Sequence, residues 1–146
     1  MQTLDDIIQT PAGALSSPAA RRNAGAIARA CLPLVRRIHA ATPIDMLDAQ
    51  FFFPDGPAAA EIARATGLPL SIKARGSDIS FWGEQDFARK QMLDAAQTAT
   101  GMLAVSRDLA GQMAAMGMDA WDRAATPAEI AKMAELLDDA LAAGAL

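Results

Sequence analysis

Short apolar runs alternate with amphipathic stretches along the middle of the chain. The runs at 46–52, 70–74 and 101–105 have the length and residue types of buried strands. Residues 58–65 are typical of a helix, which Gly67 ends. Strand, helix and strand in this order predict a parallel unit, and the loops that follow parallel strands meet at one edge of the sheet. Open parallel sheets bind ligands at that edge, so the sequence predicts a crevice there.

A long helix is predicted before the first strand. Ser16 and Ser17 are placed to cap it, and Pro18 suits its first turn. Pro33 lacks the N–H group that a helix interior requires, so it is expected to interrupt or kink the helix before residue 41. The N-terminal part of the chain therefore predicts a helix in two stretches.

The last residues of the chain have the clearest local pattern of a helix. Thr126 is placed to cap it, Pro127 stands at the first helical position, and Glu129 completes a capping box. Its apolar positions recur on one face: Ile130, Met133, Ala134, Leu137, Ala140 and Leu141. Such a face must bury against another surface. We therefore expect this helix to cover an exposed face of the sheet domain.

The segment between the second and third strands contains two more predicted elements. Residues 79–86 indicate a loop, and residues 87–99 indicate the helix that follows it. Phe81 and Trp82 lie in the loop and are expected to be exposed, which is unusual for large aromatic side chains.

Together these elements predict an α/β fold: a partial Rossmann-like domain with a short, mostly parallel three-stranded sheet flanked by helices, plus a C-terminal helix. The N-terminal polar segment and helix occupy 1–41, the partial Rossmann-like domain 42–118 and the helical tail 119–146. At 146 residues, 52% of them hydrophobic, the chain is long enough for one domain with a core. A sheet this small leaves its edges unpaired, so the chain is expected either to self-associate as a homo-oligomer or to be only marginally stable.

The charge of the chain limits the classes of partner that we expect. A formal net charge of -4 argues against a nucleic-acid-binding protein, which needs a basic face. Several arginines near the start recur at helical spacing, which favours a solvated helix face over a phosphate or membrane patch: Arg21, Arg22, Arg29, Arg36 and Arg37. No apolar run reaches the roughly 20 residues that span a bilayer, and no signal-peptide pattern opens the chain. We expect a cytoplasmic protein.

The chain has one cysteine and one histidine. Cys31 lies among apolar residues of the first predicted helix, so a core position is expected. His39 lies near the end of the same helix, where a positive charge is favoured. Neither residue has the partners of a metal site, and the phosphate loop and dinucleotide fingerprint are both missing. We therefore predict no metal and no bound cofactor.

Polar residues follow the first predicted strand. In one interpretation Asp55 and Gly56 form the turn, with Asp55 capping the next helix. In the other, the helix N-terminus presents free N–H groups to a hydroxyl or phosphate of a ligand. The two interpretations are compatible, because a capping residue can also line a crevice.

The loop after the second strand is the stronger candidate for ligand binding. Arg75 can fork onto a phosphate or carboxylate, Gly76 lets a ligand approach the backbone, and Asp78 can accept ligand hydroxyl groups, with Ser77 between them. Alternatively, Arg75 and Asp78 pair with each other and order the loop. Ser106, after the third strand, is expected to cap a helix rather than act as a nucleophile, since no histidine can be placed beside it.

Three stretches in this order resemble a known family. They are F-F-P-D-G-x-A-A-A, L-P-L-S-I-K-A-R-G-S-D and G-M-L-A-V-S-R-D-L. About residues 43–118 look like the N-terminal, acceptor-side domain of family 4 retaining glycosyltransferases, which are GT-B enzymes with two facing Rossmann-like domains. The resemblance implies transfer of a glycosyl unit from a nucleotide sugar to an acceptor. In many relatives a histidine stands where this chain has Arg75.

The resemblance covers only the acceptor half. The donor domain and its pair of glutamates have no counterpart after Met118, and the usual first strand with its glycine-rich loop has none before residue 42. We therefore expect these residues to be inactive alone. The alternative is a non-catalytic fragment or protein-interaction module. Residues 119–146 resemble more weakly a helical segment of N-acyl-D-amino-acid deacylases of the amidohydrolase superfamily, whose metal ligands do not carry over because this tail has no histidine.

Overall fold

The computed structural model describes residues 18–118 and the single positions 127, 131, 134, 135, 138 and 142. It confirms the predicted fold class, a Rossmann-like α/β arrangement of helices packed on a parallel three-stranded sheet. In chain order the elements are α1 (Pro18–Ala41), β1 (Leu47–Ala49), α2 (Asp55–Thr66), β2 (Leu70–Ala74), α3 (Ser77–Ser80), a 3-10 turn (Trp82–Glu84), α4 (Asp86–Thr98), β3 (Gly101–Ala104) and α5 (Arg107–Ala115).

The register of the sheet separates an apolar face from a polar one. β2 lies between β1 and β3, and both pairings are parallel. Ala49 is opposite Ile72, which is opposite Met102. Because side chains alternate across a strand, apolar residues collect on one face: Ala49, Leu70, Ile72, Ala74 and Met102, all buried. The helices of the larger core, α2, α4 and α5, contribute to the same cluster.

The opposite face of the sheet is open among the described residues. Asp48 and Lys73 form an ion pair on it at 3.1 Å, and Leu103 beside them is 43% exposed. Burial alone would raise the pKa of Asp48, but hydrogen bonds from Lys73 and Ser71 and the charge of Lys73 outweigh it, so the pKa is lowered. Parallel sheets are ordinarily covered on both faces. This one has a single covered face within residues 18–118.

A smaller apolar cluster holds α1 against α2. Ala24 and Ala28 of α1 are buried against Ala58 and Ile62 of α2. Cys31 packs against this cluster and is half-buried rather than fully buried. These small side chains let the two helices approach closely, so α1 is part of the folded unit.

The predicted interruption of α1 at Pro33 is wrong, because the helix runs from Pro18 to Ala41 without a break. An interior proline costs about 3 kcal/mol. The apolar stripe continues in helical register across it, since Leu32 and Val35 pack beside the same cluster. Packing of both halves on α2 therefore outweighs the local cost. His39 lies in the last turn of the helix, as predicted. Its Nδ1 accepts a hydrogen bond from the Ile44 N–H at 2.9 Å.

Two element boundaries differ from the sequence predictions. The first strand ends at Ala49 rather than near residue 52, and the chain turns at once towards α2. The segment predicted as an exposed loop is largely helical, and Trp82 is half-buried with its ring centre 4.9 Å from that of Phe53. Phe81 is exposed, as predicted. In both places contacts with distant residues override the local pattern.

Little of the predicted C-terminal helix lies within the described residues. Positions 127, 131, 134, 135, 138 and 142 are helical and exposed. Ala134, predicted on the apolar face, is among them. The rest of that face and the N-terminal caps Ser16 and Ser17 lie outside the described residues. No described helix is long and apolar enough to cross a membrane.

The two faces of the sheet predict unequal costs of truncation. Ile72→Ala should lower the free energy of unfolding by about 2–5 kcal/mol, because it opens a cavity in the core. Leu103→Ala, on the neighbouring strand and the open face, should cost no more than about 1 kcal/mol. Urea denaturation of both variants measures the difference. Equal losses would mean that the second face is also covered.

Candidate functional site

A buried carboxylate joins two of the predicted loops. Asp78 is only 1% exposed. Its oxygens accept hydrogen bonds from the backbone N–H groups of Phe52 at 2.7 Å, Arg75 at 3.0 Å and Gly76 at 2.7 Å. Phe52 follows β1, whereas the other two donors follow β2. A single side chain therefore fixes the ends of two neighbouring strands against each other.

The Arg75 side chain is not the partner of this carboxylate. Its guanidinium carbon lies 5.7 Å from the centre of the Phe51 ring, in a cation–π contact. The predicted ion pair between Arg75 and Asp78 is wrong, because Asp78 orders the loop through the backbone N–H groups instead. Arg75 is exposed. Its guanidinium is therefore available to a ligand at the mouth of the loops.

Gly76 has a backbone conformation that other residues strongly disfavour. Its φ of 142° and ψ of -87° place it in a region used almost only by glycine. A Cβ built on Gly76 would meet no heavy atom within 4 Å, so the space above this backbone is open. The glycine is thus required by conformation and leaves the main chain accessible. Ser77, the next residue, is exposed at the start of α3.

The N-terminus of α2 differs from the prediction. The helix begins at Asp55, and no side chain caps it, so the predicted capping role of Asp55 is wrong. The Gly56 N–H donates to the Phe52 carbonyl at 2.9 Å, and the Ala58 N–H donates to the Pro54 carbonyl at 3.3 Å. The residue between them is a proline, which has no N–H. Gly56 is buried, so it positions the helix rather than offering its N–H to a ligand.

The carboxyl group of Asp55 lies in an unfavourable electrostatic environment. Burial raises its pKa, and the negative charge of Asp78 raises it further. The side chain also lines a shallow cavity of about 240 Å³ between α1, β1 and α2, which Ile27 and Gln50 help to line. A carboxyl group with a raised pKa beside a cavity is a candidate for ligand binding.

Ser106 has the predicted structural role. Its Oγ accepts a hydrogen bond from the Leu109 N–H at 3.2 Å and so caps α5. The Val105 N–H beside it donates to the Ala74 carbonyl at 3.3 Å, which ties the end of β3 to the end of β2. The loops that follow the three strands therefore lie at one edge of the sheet, as the strand order predicts.

The structure adds two contributions that the sequence reasoning missed. Phe51 is 39% exposed and supports the guanidinium of Arg75, although the three consecutive phenylalanines indicate a wholly buried strand. The backbone N–H of Phe52 is the third donor to Asp78. Neither contact has a local sequence signal, because the partners are more than twenty residues apart in the chain. The part of the chain that the structure describes holds no group of metal-ligating side chains.

Comparisons with known proteins add no family to this geometry. A scan of protein-family models finds no match, and a search of curated proteins finds none. The glycosyltransferase resemblance therefore stays a prediction.

Removing the charge of Asp78 should destabilise the fold. Asp78→Asn places an amide NH₂ where backbone donors converge, so at least one buried N–H loses its acceptor, at a cost of about 1–3 kcal/mol. Asp45→Asn is the control, because Asp45 is exposed in a loop, and it should change stability by no more than about 0.5 kcal/mol. Urea unfolding at neutral pH measures both. Equal small effects would contradict the role of Asp78.

Removing the charge of Asp55 should stabilise the fold, the opposite of the effect expected at Asp78. Its pKa in the fold is raised above the ordinary value of 3.8, so ionisation costs stability as the pH rises through the raised pKa. Asp55→Asn should therefore increase the melting temperature at neutral pH, and the gain should vanish below about pH 3.8.

Asp86→Asn provides a matched control for this experiment. Asp86 is also the first residue of a helix, but it is exposed. A negative charge in the first turn of a helix interacts favourably with the helix dipole, so the substitution should slightly lower the melting temperature at neutral pH. A gain in both variants would show that the effect at Asp55 does not come from its local environment.

Proposed function

We propose that residues 43–118 form an acceptor-binding half of a family 4 retaining glycosyltransferase. The loops at the carboxyl edge of the sheet would hold the acceptor, a hydroxyl-bearing and in part anionic glycosyl compound. Arg75 would bind a phosphate or carboxylate of this acceptor, Asp55 would accept its hydroxyl groups, and the backbone at Gly76 would contact it. The order of the three motifs along the chain supports this proposal.

The single observation that carries the proposal is the buried carboxylate of Asp78, which accepts hydrogen bonds from the backbone of two loops. It fixes two loops from separate strands in one arrangement and leaves the Arg75 guanidinium outside, over Phe51. Preorganised polar groups at the carboxyl edge of a parallel sheet are what a binding crevice in this fold requires. Asp78 itself is proposed to position the loops, since its oxygens already accept backbone hydrogen bonds.

Glycosyl transfer is not expected of these 146 residues alone. Retaining transfer needs a donor held against the acceptor in a closed cleft from which water is excluded. On this proposal, residues 43–118 form one wall of that cleft. Nucleotide-sugar binding would come from a donor domain on the other side, and the purified chain should show no turnover of UDP-glucose.

A protein-interaction module is the second candidate, and it has its own observation. Leu103 and Val105 are 43% and 61% exposed on and beside the outer strand β3. Apolar side chains on an unpaired strand edge favour association with another chain. In this alternative the crevice is vestigial, and the open edge and face of the sheet carry the function, including the homo-oligomer that the short sheet predicts.

The proposal is tested by ligand titration observed at single amides. A panel of methyl glycosides and sugar phosphates is added to the labelled chain, and shifts are expected at 51–56, 75–78 and 105–106. Arg75→Ala should weaken binding of the best sugar phosphate about tenfold, as loss of a charge-assisted hydrogen bond does. Arg37→Ala, an exposed arginine on α1, is the control and should leave binding unchanged.

Two outcomes would contradict the acceptor-binding function. Saturable binding that is lost equally in both arginine variants would place the ligand elsewhere. The absence of any shift at the loops, together with a mass that rises with concentration in light scattering, would favour the interaction module.

A further inference from the structure

A second concave surface lies on the helical layer, apart from the strand-end loops. α1, α2 and α4 border a groove of about 460 Å³. Its charged lining consists of four arginines, one lysine and two carboxylates: Arg21, Arg22, Arg29, Arg64, Lys90, Glu61 and Asp94. None of the seven candidate loop residues lines it. The groove thus concentrates positive charge in a chain whose formal net charge is -4.

Specific contacts hold the walls of this groove in place. The guanidinium carbon of Arg21 lies 5.1 Å from the centre of the Phe87 ring, and the Arg21 carbonyl accepts a hydrogen bond from Gln91 Nε2 at 3.1 Å. These contacts fasten α1 to α4. Arg64 on α2 forms an ion pair with Asp94 on α4 at 3.1 Å. The cations therefore come from three helices whose relative positions are fixed.

The two carboxylates only partly neutralise the groove. Asp94 is engaged by Arg64. Arg22, Arg29 and Lys90 form no ion pair with any residue that the structure describes. The five cations of the lining outnumber its two carboxylates, Glu61 and Asp94, so positive charge is in excess. Like charges in a groove repel one another, so a bound anion would relieve an unfavourable interaction.

Gly25 lines the groove and leaves room in it for the Arg29 side chain. A Cβ on Gly25 would lie 3.3 Å from a guanidinium nitrogen of Arg29 and 3.6 Å from Oε1 of Glu61. The Arg29 side chain therefore lies against the Gly25 backbone. A larger residue at position 25 would place its side chain in the space that the Arg29 guanidinium occupies. The predicted solvated helix face is thus only part of the description, because Arg22 and Arg29 border a groove as well as being exposed.

We propose that this groove is a binding site for a soluble, compact ligand that carries a diphosphate or a similar multivalent phosphate. Guanidinium groups donate paired hydrogen bonds to phosphate oxygens, and cations from three helices can surround one anion. A concave groove fits a small molecule better than it fits a flat membrane surface. The site is independent of the acceptor site proposed above.

Calorimetric titration with inorganic pyrophosphate tests this site. The chain should bind one pyrophosphate saturably at low ionic strength, and Arg22→Gln/Arg29→Gln should weaken that binding about tenfold or more. The matched control is Arg36→Gln/Arg37→Gln, which removes the same charge from the same helix outside the groove. It should change the affinity less than about twofold, as expected for screened surface charge. Thermal melts of both pairs check that the fold is retained.

Three results would overturn the proposal. Equal weakening in both double variants would show that only diffuse charge attracts the anion. A titration without saturation would show that there is no site. Binding to phosphatidylcholine vesicles that contain phosphatidylglycerol, lost in the groove variant while pyrophosphate does not bind, would assign the groove to a lipid surface. Saturable binding that only the groove variant loses supports the soluble ligand.

Discussion

The buried carboxylate of Asp78 is the constraint on which the arrangement of the strand-end loops depends. A carboxylate inside a protein is tolerated only when its oxygens are satisfied, and here three backbone N–H groups from two loops satisfy them. The same bonds supply acceptors for N–H groups that the sheet itself leaves unpaired at the ends of its strands. Leaving either the carboxylate or the N–H groups without hydrogen-bond partners would cost stability. The path of the chain after β1 and after β2 is therefore set by one residue.

This constraint accounts for other features of the same edge. Gly76 can donate to Asp78 in a conformation that side chains disfavour, and the turn directs the Arg75 side chain away from the carboxylate and over Phe51. Asp55 lies close enough to Asp78 for the two negative charges to oppose each other. The fold thus keeps a carboxyl group there at a cost in stability. Residues retained against stability are common at binding sites, which supports Asp55 as a contact for a ligand.

The sequence predicts the order of the elements because their signals are local. Alternating apolar runs predict the three parallel strands, Gly67 ends α2 in the left-handed conformation, and Ser106 caps α5. The pattern fails where distant packing decides the outcome. α1 continues through Pro33 because both of its halves pack on α2. Trp82, predicted to be exposed in a loop, is half-buried because its ring packs against that of Phe53. Neither partner can be read from neighbouring residues.

The candidate site is predictable in location and not in chemistry. Parallel topology alone brings the strand-end loops together, so the relevant segments can be named from the sequence. The roles within them depend on pairings such as Asp78 with Phe52, which are separated by 26 residues. An Arg–Asp pair in one short loop suggests an ion pair, yet the backbone donors are closer and better placed. The groove on α1 is still less accessible to sequence reasoning, because its cations come from three helices.

The most direct test of the central role of Asp78 is native-state hydrogen exchange at three amides of the unmodified chain. The N–H groups of Phe52, Arg75 and Gly76 lie outside the strand ladders but donate to a buried carboxylate. We expect them to be protected about as strongly as the amides of the central strand β2, since only a large opening would expose them. Exchange of these three amides at the rate of an unprotected loop, while β2 stays protected, would contradict the account.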